Sequence, residues 1–129
     1  MKRIANQETF GILTCVYGET GLHDAESVAR CVERLARLEG FEAKYIALRD
    51  LEHGADEGNA SRQLRPDAPR QDIVDALLAR TYDRLFLSGS FEGARVGFGV
   101  DLRTYELMLS VPGGRTELAE KLAGALSAQ

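Results

Sequence analysis

Between Phe91 and Val96 the chain has only four residues, Glu92, Gly93, Ala94 and Arg95, and a stretch of alternating polarity runs into and out of that link. In "YDRLFLSGSF", Leu85, Leu87 and Phe91 alternate with Arg84, Ser88 and Ser90, and Phe86 alone breaks the polar row. In "ARVGFGVD", Val96, Phe98 and Val100 face away from Arg95, Gly97, Gly99 and Asp101. Adjacent parallel strands need a crossover of about a dozen residues, whereas a link this short makes a hairpin whose turn Gly93 suits. Leu85 to Phe91 should therefore pair antiparallel with Ala94 to Asp101. "VGFGVDLRTYEL" then reads as two hairpin strands around the turn "DLRT". The second of them continues as "YELMLSV", with Tyr105, Leu107, Leu109 and Val111 opposite Glu106, Met108 and Ser110. Three consecutive strands thus carry one apolar face each. After the turn "PGG", "TELAEKLAGAL" forms an amphipathic helix capped by Thr116.

The first half reads differently. "ETFGILTCVY", Glu8 to Tyr17, is apolar on both parities, as expected of a central strand covered on both faces. From Asp24, Ala25, Val28, Ala29, Val32, Leu35 and Ala36 form one helical stripe, with Glu26/Arg30 and Glu33/Arg37 paired outside it; Asp24 caps the helix and Gly40 ends it. "FEAKYIALRD" returns as a strand, so strand, helix and strand make a βαβ unit with a parallel pair. "PRQDIVDALLART" is a second, short helix with Ile73, Ala76, Leu77 and Arg80 inward. The stretch between, about residues 50 to 70, has little to bury and reads as a long solvated loop. The expected fold is one α/β domain over residues 1 to 129: a parallel βαβαβ half continued by an antiparallel hairpin and a C-terminal helix.

Composition excludes several classes. A net charge of -4 and a pI near 5.2 argue against nucleic acid, which calls for a basic face. No window approaches the ~18 to 20 apolar residues of a membrane span, and "MKRIANQETF" has no apolar run behind its basic start, so the chain is expected to stay in the cytoplasm. Cys15 and Cys31 are too few for a disulfide framework and read as reduced, buried thiols.

A resemblance rests on "VYGETGLHDAESVARCVERLARLEGFEAKYIALRDL" and "LLARTYDRLFLSGSFEG". Taken in order, they resemble the first half of flavodoxin-like proteins, from about Phe10 to Gly93 without the long loop. That family wraps a flavin phosphate with a Ser/Thr-x-Thr-Gly-x-Thr loop, and Gly18, Glu19, Thr20, Gly21, Leu22 and His23 stand at those positions. Only Thr20 and Gly21 match, so two hydroxyl donors are gone, and Asp24 would repel a phosphate. The resemblance implies a site made of Thr20, Gly21, Leu22, Ser88, Ser90 and Phe91, with Phe91 against the flavin ring. Phe98, Gly99, Val100, Asp101 and Tyr105 look like the family's third loop, but the hairpin is expected to carry Gly99 and Asp101 away from Thr20. FMN is the cofactor the resemblance admits; none is expected to be held.

Other constellations are weaker. Cys15 with His23 suggests a nucleophile and base, but a strand cysteine is usually core. Glu42-Ala43-Lys44 has the Glu-x-Lys form of metal-dependent nucleases without a supporting aspartate. Asp50, Glu52, His53, Asp56 and Glu57 fit no ordered cation loop, and Asn59-Ala60-Ser61 matches a glycosylation acceptor in a chain with no secretion signal. Three function classes remain: a non-catalytic binding or regulatory domain with an anion or nucleotide site at the first strand-to-helix turn, an FMN electron carrier, and a protein-interaction module using the sheet face that the helices leave bare. That face carries Arg84, Ser88, Arg95, Gly97, Gly99, Glu106, Met108 and Ser110, and a homodimer through Arg95, Gly97, Gly99 and Met108 is its simplest use.

Overall fold

The computed structural model describes residues 1–50 and 61–127. Seven strands and three helices follow one another as β1 (Lys2–Thr9), β2 (Ile12–Gly18), α1 (Ala25–Ala36), β3 (Phe41–Arg49), β4 (Ser61–Leu64), α2 (Arg70–Ala79), β5 (Arg84–Phe91), β6 (Ala94–Asp101), β7 (Leu107–Pro112) and α3 (Thr116–Ser127). The strands form one sheet in the order β1-β2-β7-β6-β5-β3-β4, and every neighbouring pair is antiparallel. The expected β5–β6 hairpin is present, with Phe91 opposite Ala94 and Arg84 opposite Asp101.

The expected parallel βαβαβ half is not there. β2 and β3 do point the same way, but α1 carries the chain across the sheet and β7, β6 and β5 lie between them. A strand, a helix and a strand in sequence restrict relative direction; adjacency depends on strands that come later in the chain. The second correction concerns Glu8 to Tyr17, which is a hairpin and not one central strand. Phe10 and Gly11 form a two-residue turn at φ 52° and 77°, with Thr9 facing Ile12 across it, the positive-φ pattern that matches strand twist. Two smaller differences follow: α1 stops at Ala36, before Gly40, and Ser61–Leu64, inside the expected loop, pairs as an edge strand with Ile46–Arg49. Glu52, His53, Asp56, Glu57 and the Asn59 acceptor lie outside the described residues.

All three helices cover one face. Leu13, Cys15 and Tyr17 of β2, Leu107, Leu109 and Val111 of β7, Val96, Phe98 and Val100 of β6 and Leu85, Leu87 and Phe91 of β5 meet Val28, Val32 and Leu35 of α1, Ile73 of α2 and Leu118 and Leu122 of α3 in a single core. The helix starts follow from local chemistry. Asp24 accepts from the Ser27 backbone N–H at 2.8 Å while the Ser27 hydroxyl accepts from the Asp24 N–H at 3.1 Å, a reciprocal cap. Hydrogen bonding to the carboxylate, first from the Ser27 backbone N–H and then from the Ser27 side chain, holds the Asp24 carboxyl below its usual range. Among the described residues no helix is long and apolar enough to cross a membrane.

At the upper end of the sheet the β6–β7 turn is organised by Asp101, which is buried. Its carboxylate accepts from the backbone N–H of Arg103 at 2.9 Å and of Thr104 at 3.3 Å, with the Arg84 guanidinium 3.5 Å away. Burial pushes its pKa up, but the two N–H donors and the guanidinium groups of Arg84 and Arg103 outweigh that and hold it below the usual range. A depressed carboxyl contributes stability above its unfolded-state pKa, and that contribution is lost as pH falls through the folded one. In urea titrations the wild-type midpoint should therefore drop as pH falls below about 4, and Asp101→Asn should flatten that drop. An equally steep decline in the variant would mean that other groups carry it.

Candidate functional site: the open sheet face

The six residues that the family resemblance singles out divide between two places. Thr20, Gly21 and Leu22 lie beyond the end of β2, at the same end of the sheet as Arg84 and Asp101. Ser88, Ser90 and Phe91 lie toward the other end of β5, and Phe91 is seven residues from Arg84 along the strand, ~23 Å at ~3.3 Å per residue. In an antiparallel sheet the outgoing end of β5 points away from the outgoing end of β2. Phe91 is also buried on the helix-covered face, while Ser88 and Ser90 are on the other.

The third loop behaves contrary to expectation. The Thr20 hydroxyl donates to the Tyr105 carbonyl at 2.8 Å and accepts from the Leu22 N–H at 3.2 Å. The β6–β7 turn therefore sits beside the Thr20 loop, and β5 carries its residues away instead. The same bonds occupy the one hydroxyl that matched the phosphate loop. The Asp24 carboxylate stands at the N-terminus of α1, so the turn has the character of a capped strand-to-helix connection. His23 Nδ1 lies 3.1 Å from the Gly21 carbonyl, and its Nε2 is 3.5 Å from the Asp24 carboxylate. Cys15 is fully buried under the helices. Cys31 is buried on α1, and burial pushes its thiol up to about 11, which suits an inert core cysteine. Among the described residues no group of three or more His, Cys, Asp and Glu is placed to hold a metal ion.

What the sheet brings together is its uncovered face. Residues directly opposite each other in the ladder share a face, so the register defines two rows across the strands. One joins Ala47, Phe86, Gly99, Met108 and Val16; the next joins Tyr45, Ser88, Gly97, Ser110 and Thr14. The first row is apolar and the second carries hydroxyls, with Thr14 Oγ1 and Ser110 Oγ 3.3 Å apart. All of these except Val16 line a shallow cavity of about 470 Å³, with Arg49 at its upper margin. A second cavity of about 360 Å³ continues it downward past Ser88, Gly97 and Ser110 to Arg95, Ile12 and Pro112.

The two glycines expected to admit a close approach differ in cause. A Cβ on Gly99 would meet Met108 Cε at 3.3 Å and Phe86 Cδ1 at 3.4 Å, so the chain's own side chains take up that space. At Gly97 the nearest atom to a Cβ would be Ser110 Cβ, at an ordinary 3.6 Å. Among the described residues nothing requires glycine there, although a strand glycine costs ~0.5 to 1 kcal/mol against alanine.

Sequence reasoning missed Phe10. Its side chain is 99% exposed at the tip of the β1–β2 hairpin, and Ile12 beside it is 51% exposed. A non-glycine residue in the left-handed region costs of order 1 kcal/mol. Asn or Asp would form this turn more readily and without offering an aromatic ring to water. At the sister turn of β5 and β6 the equivalent position is Glu92, at φ 51°, whose carboxylate pairs with Lys121. The available signal was the dipeptide Phe10-Gly11 itself, an X-Gly step between two stretches of strand character.

No protein-family model matches the chain, and no curated protein or solved structure matches it. The likeness to flavodoxin-like proteins thus rests on the quoted residues alone.

Proposed function

We propose that this chain is a non-catalytic protein-binding module whose contact surface is the open face of the sheet. One observation carries the reading: the larger cavity on that face is lined by Tyr45, Phe86, Met108, Arg49, small residues and hydroxyls, with no Lys, Asp or Glu. Interface cores are enriched in aromatic residues, Met and Arg and depleted in Lys, Asp and Glu, whereas solvated sheet faces carry the reverse. A small-molecule site at the first strand-to-helix turn has less in its favour, because the Thr20 hydroxyl and the helix N-terminus already have partners within the chain. Flavin binding would need Thr20 and Phe91 to converge, and they lie at opposite ends of the sheet.

The reading is tested with a photo-crosslinking amino acid placed at Ser88 on the open face and, as control, at Arg37, the exposed C-cap of α1. Irradiation in cells is expected to give discrete protein adducts from position 88 and none from position 37. Absence of adducts at 88, or the same bands from both positions, would remove the open face as a binding surface.

A further inference from the structure

We infer that the partner of the open face is a second copy of this chain, and that Phe10 of each copy seats in the lower cavity of the other. The inference rests on the protein-binding reading and adds the occupant. It begins with a knob and a hole that adjoin along the chain. Phe10 projects from the hairpin tip in a strained backbone conformation with its ring wholly in solvent. The next two residues, Gly11 and Ile12, line the 360 Å³ cavity, together with Arg95, Gly97, Ser110 and Pro112. The ring's full exposure shows that it does not fill its own chain's cavity. A two-fold interface requires each copy to present both halves of the contact, and a chain that carries the knob within two residues of its hole meets that requirement.

Three further features agree. The cavity is larger than the ~150 Å³ that admits benzene in an apolar site. Gly97, unexplained by the chain's own packing, lies in its floor, where a side chain would narrow the space open to a ring. The Arg95 side chain has no hydrogen-bond or ion-pair partner among the described residues and can lay its guanidinium against the incoming ring. The available area also suffices. Five strands, β2, β7, β6, β5 and β3, at ~4.8 Å spacing and about eight residues long give a plan of roughly 600 Å² before side-chain relief, close to the ~800 Å² per partner of a standard interface.

Size-exclusion chromatography with light scattering decides the matter. Wild type at about 100 μM, well above the micromolar range of a standard interface, should run at twice the 14.1 kDa chain mass. Phe10→Asn should weaken association by about 100-fold or more, since two rings are lost per dimer. Asparagine tolerates the turn's positive φ, so this variant should unfold at least as late as wild type when both are diluted to monomers, which separates lost contact from lost fold. Gly97→Arg should also yield monomers, and Leu78→Ser, on the helical side at 72% exposure, should leave the dimer intact. A monomeric wild type at 100 μM, a Phe10→Asn protein that dimerises as tightly as wild type, or equal loss with Leu78→Ser would each overturn the inference. The outcomes also separate the two readings. If wild type is monomeric while position 88 crosslinks to a protein of another mass, the second copy is wrong and the protein-binding face stands; if position 88 gives nothing, both fall.

Discussion

Gly89→Ala is expected to destabilise the protein by ~2 to 4 kcal/mol, while Gly97→Ala, in the neighbouring strand, leaves stability unchanged or raises it by up to ~1 kcal/mol. The two glycines read alike in sequence and sit in different surroundings. Gly89 faces β3 where that strand bulges between Ala43 and Tyr45. A Cβ there would run into the Glu42 carbonyl oxygen and come within 2.9 Å of Phe41 Cζ. Backbone held in a ladder cannot move aside without giving up its hydrogen bonds, and Phe41 is buried in the core. At Gly97 the nearest contact is ordinary and φ is not positive, so alanine removes only the glycine's excess unfolded-state freedom. Urea unfolding of both variants at monomeric concentration checks the contrast. A Gly89→Ala protein within ~0.5 kcal/mol of wild type, the range of a neutral surface change, would mean that the bulge yields without losing its ladder.

Leu109→Ala is expected to cost ~2 to 5 kcal/mol, and Met108→Ala, one residue away, less than ~1 kcal/mol. Leu109 is fully buried in the central part of the sheet, opposite Cys15 of β2 and Phe98 of β6, under the helical layer. Truncation leaves a cavity that a strand hydrogen-bonded on both sides cannot close. Met108 points to the other face, half-buried between Val16 and Gly99, with its Sδ 3.6 Å from Arg84 Nη1. Its loss should appear instead as weaker association. Thermal and urea unfolding, read beside oligomeric mass, separate the two roles, and a Met108→Ala protein as unstable as Leu109→Ala would contradict an open face on that side.

The particular elements show how far sequence reached. β5, β6 and β7 were legible because each alternates, with Phe86 the one break, and because four residues between Phe91 and Val96 admit no other pairing. α1 was legible through its stripe, its Asp24 cap and its four-residue ion pairs, of which Glu26–Arg30 and Glu33–Arg37 are 3.7 and 3.8 Å apart. β1 was not, because "KRIANQET" buries none of its eight residues and so shows no alternation. β4 escaped for the same reason, being short, polar and at the other edge. Phe10 misled, since an apolar residue in an apolar run reads as strand interior, and only the turn geometry places it in water.

By itself the sequence determined the local features: which residues alternate, where the first helix starts, which hairpin is forced, and that the last three strands carry one apolar face each. Tertiary structure alone decided that β7, β6 and β5 would stand between β2 and β3, that Thr20 and Phe91 would lie at opposite ends, and that Phe10 would stand beside the cavity holding Gly97. Alternation and capping act between residues a few positions apart and leave their mark in every short window. Strand order arises from hydrogen bonds between segments as distant as Cys15 and Leu109, and it is chosen by how the whole set of apolar faces can be buried at once under three helices.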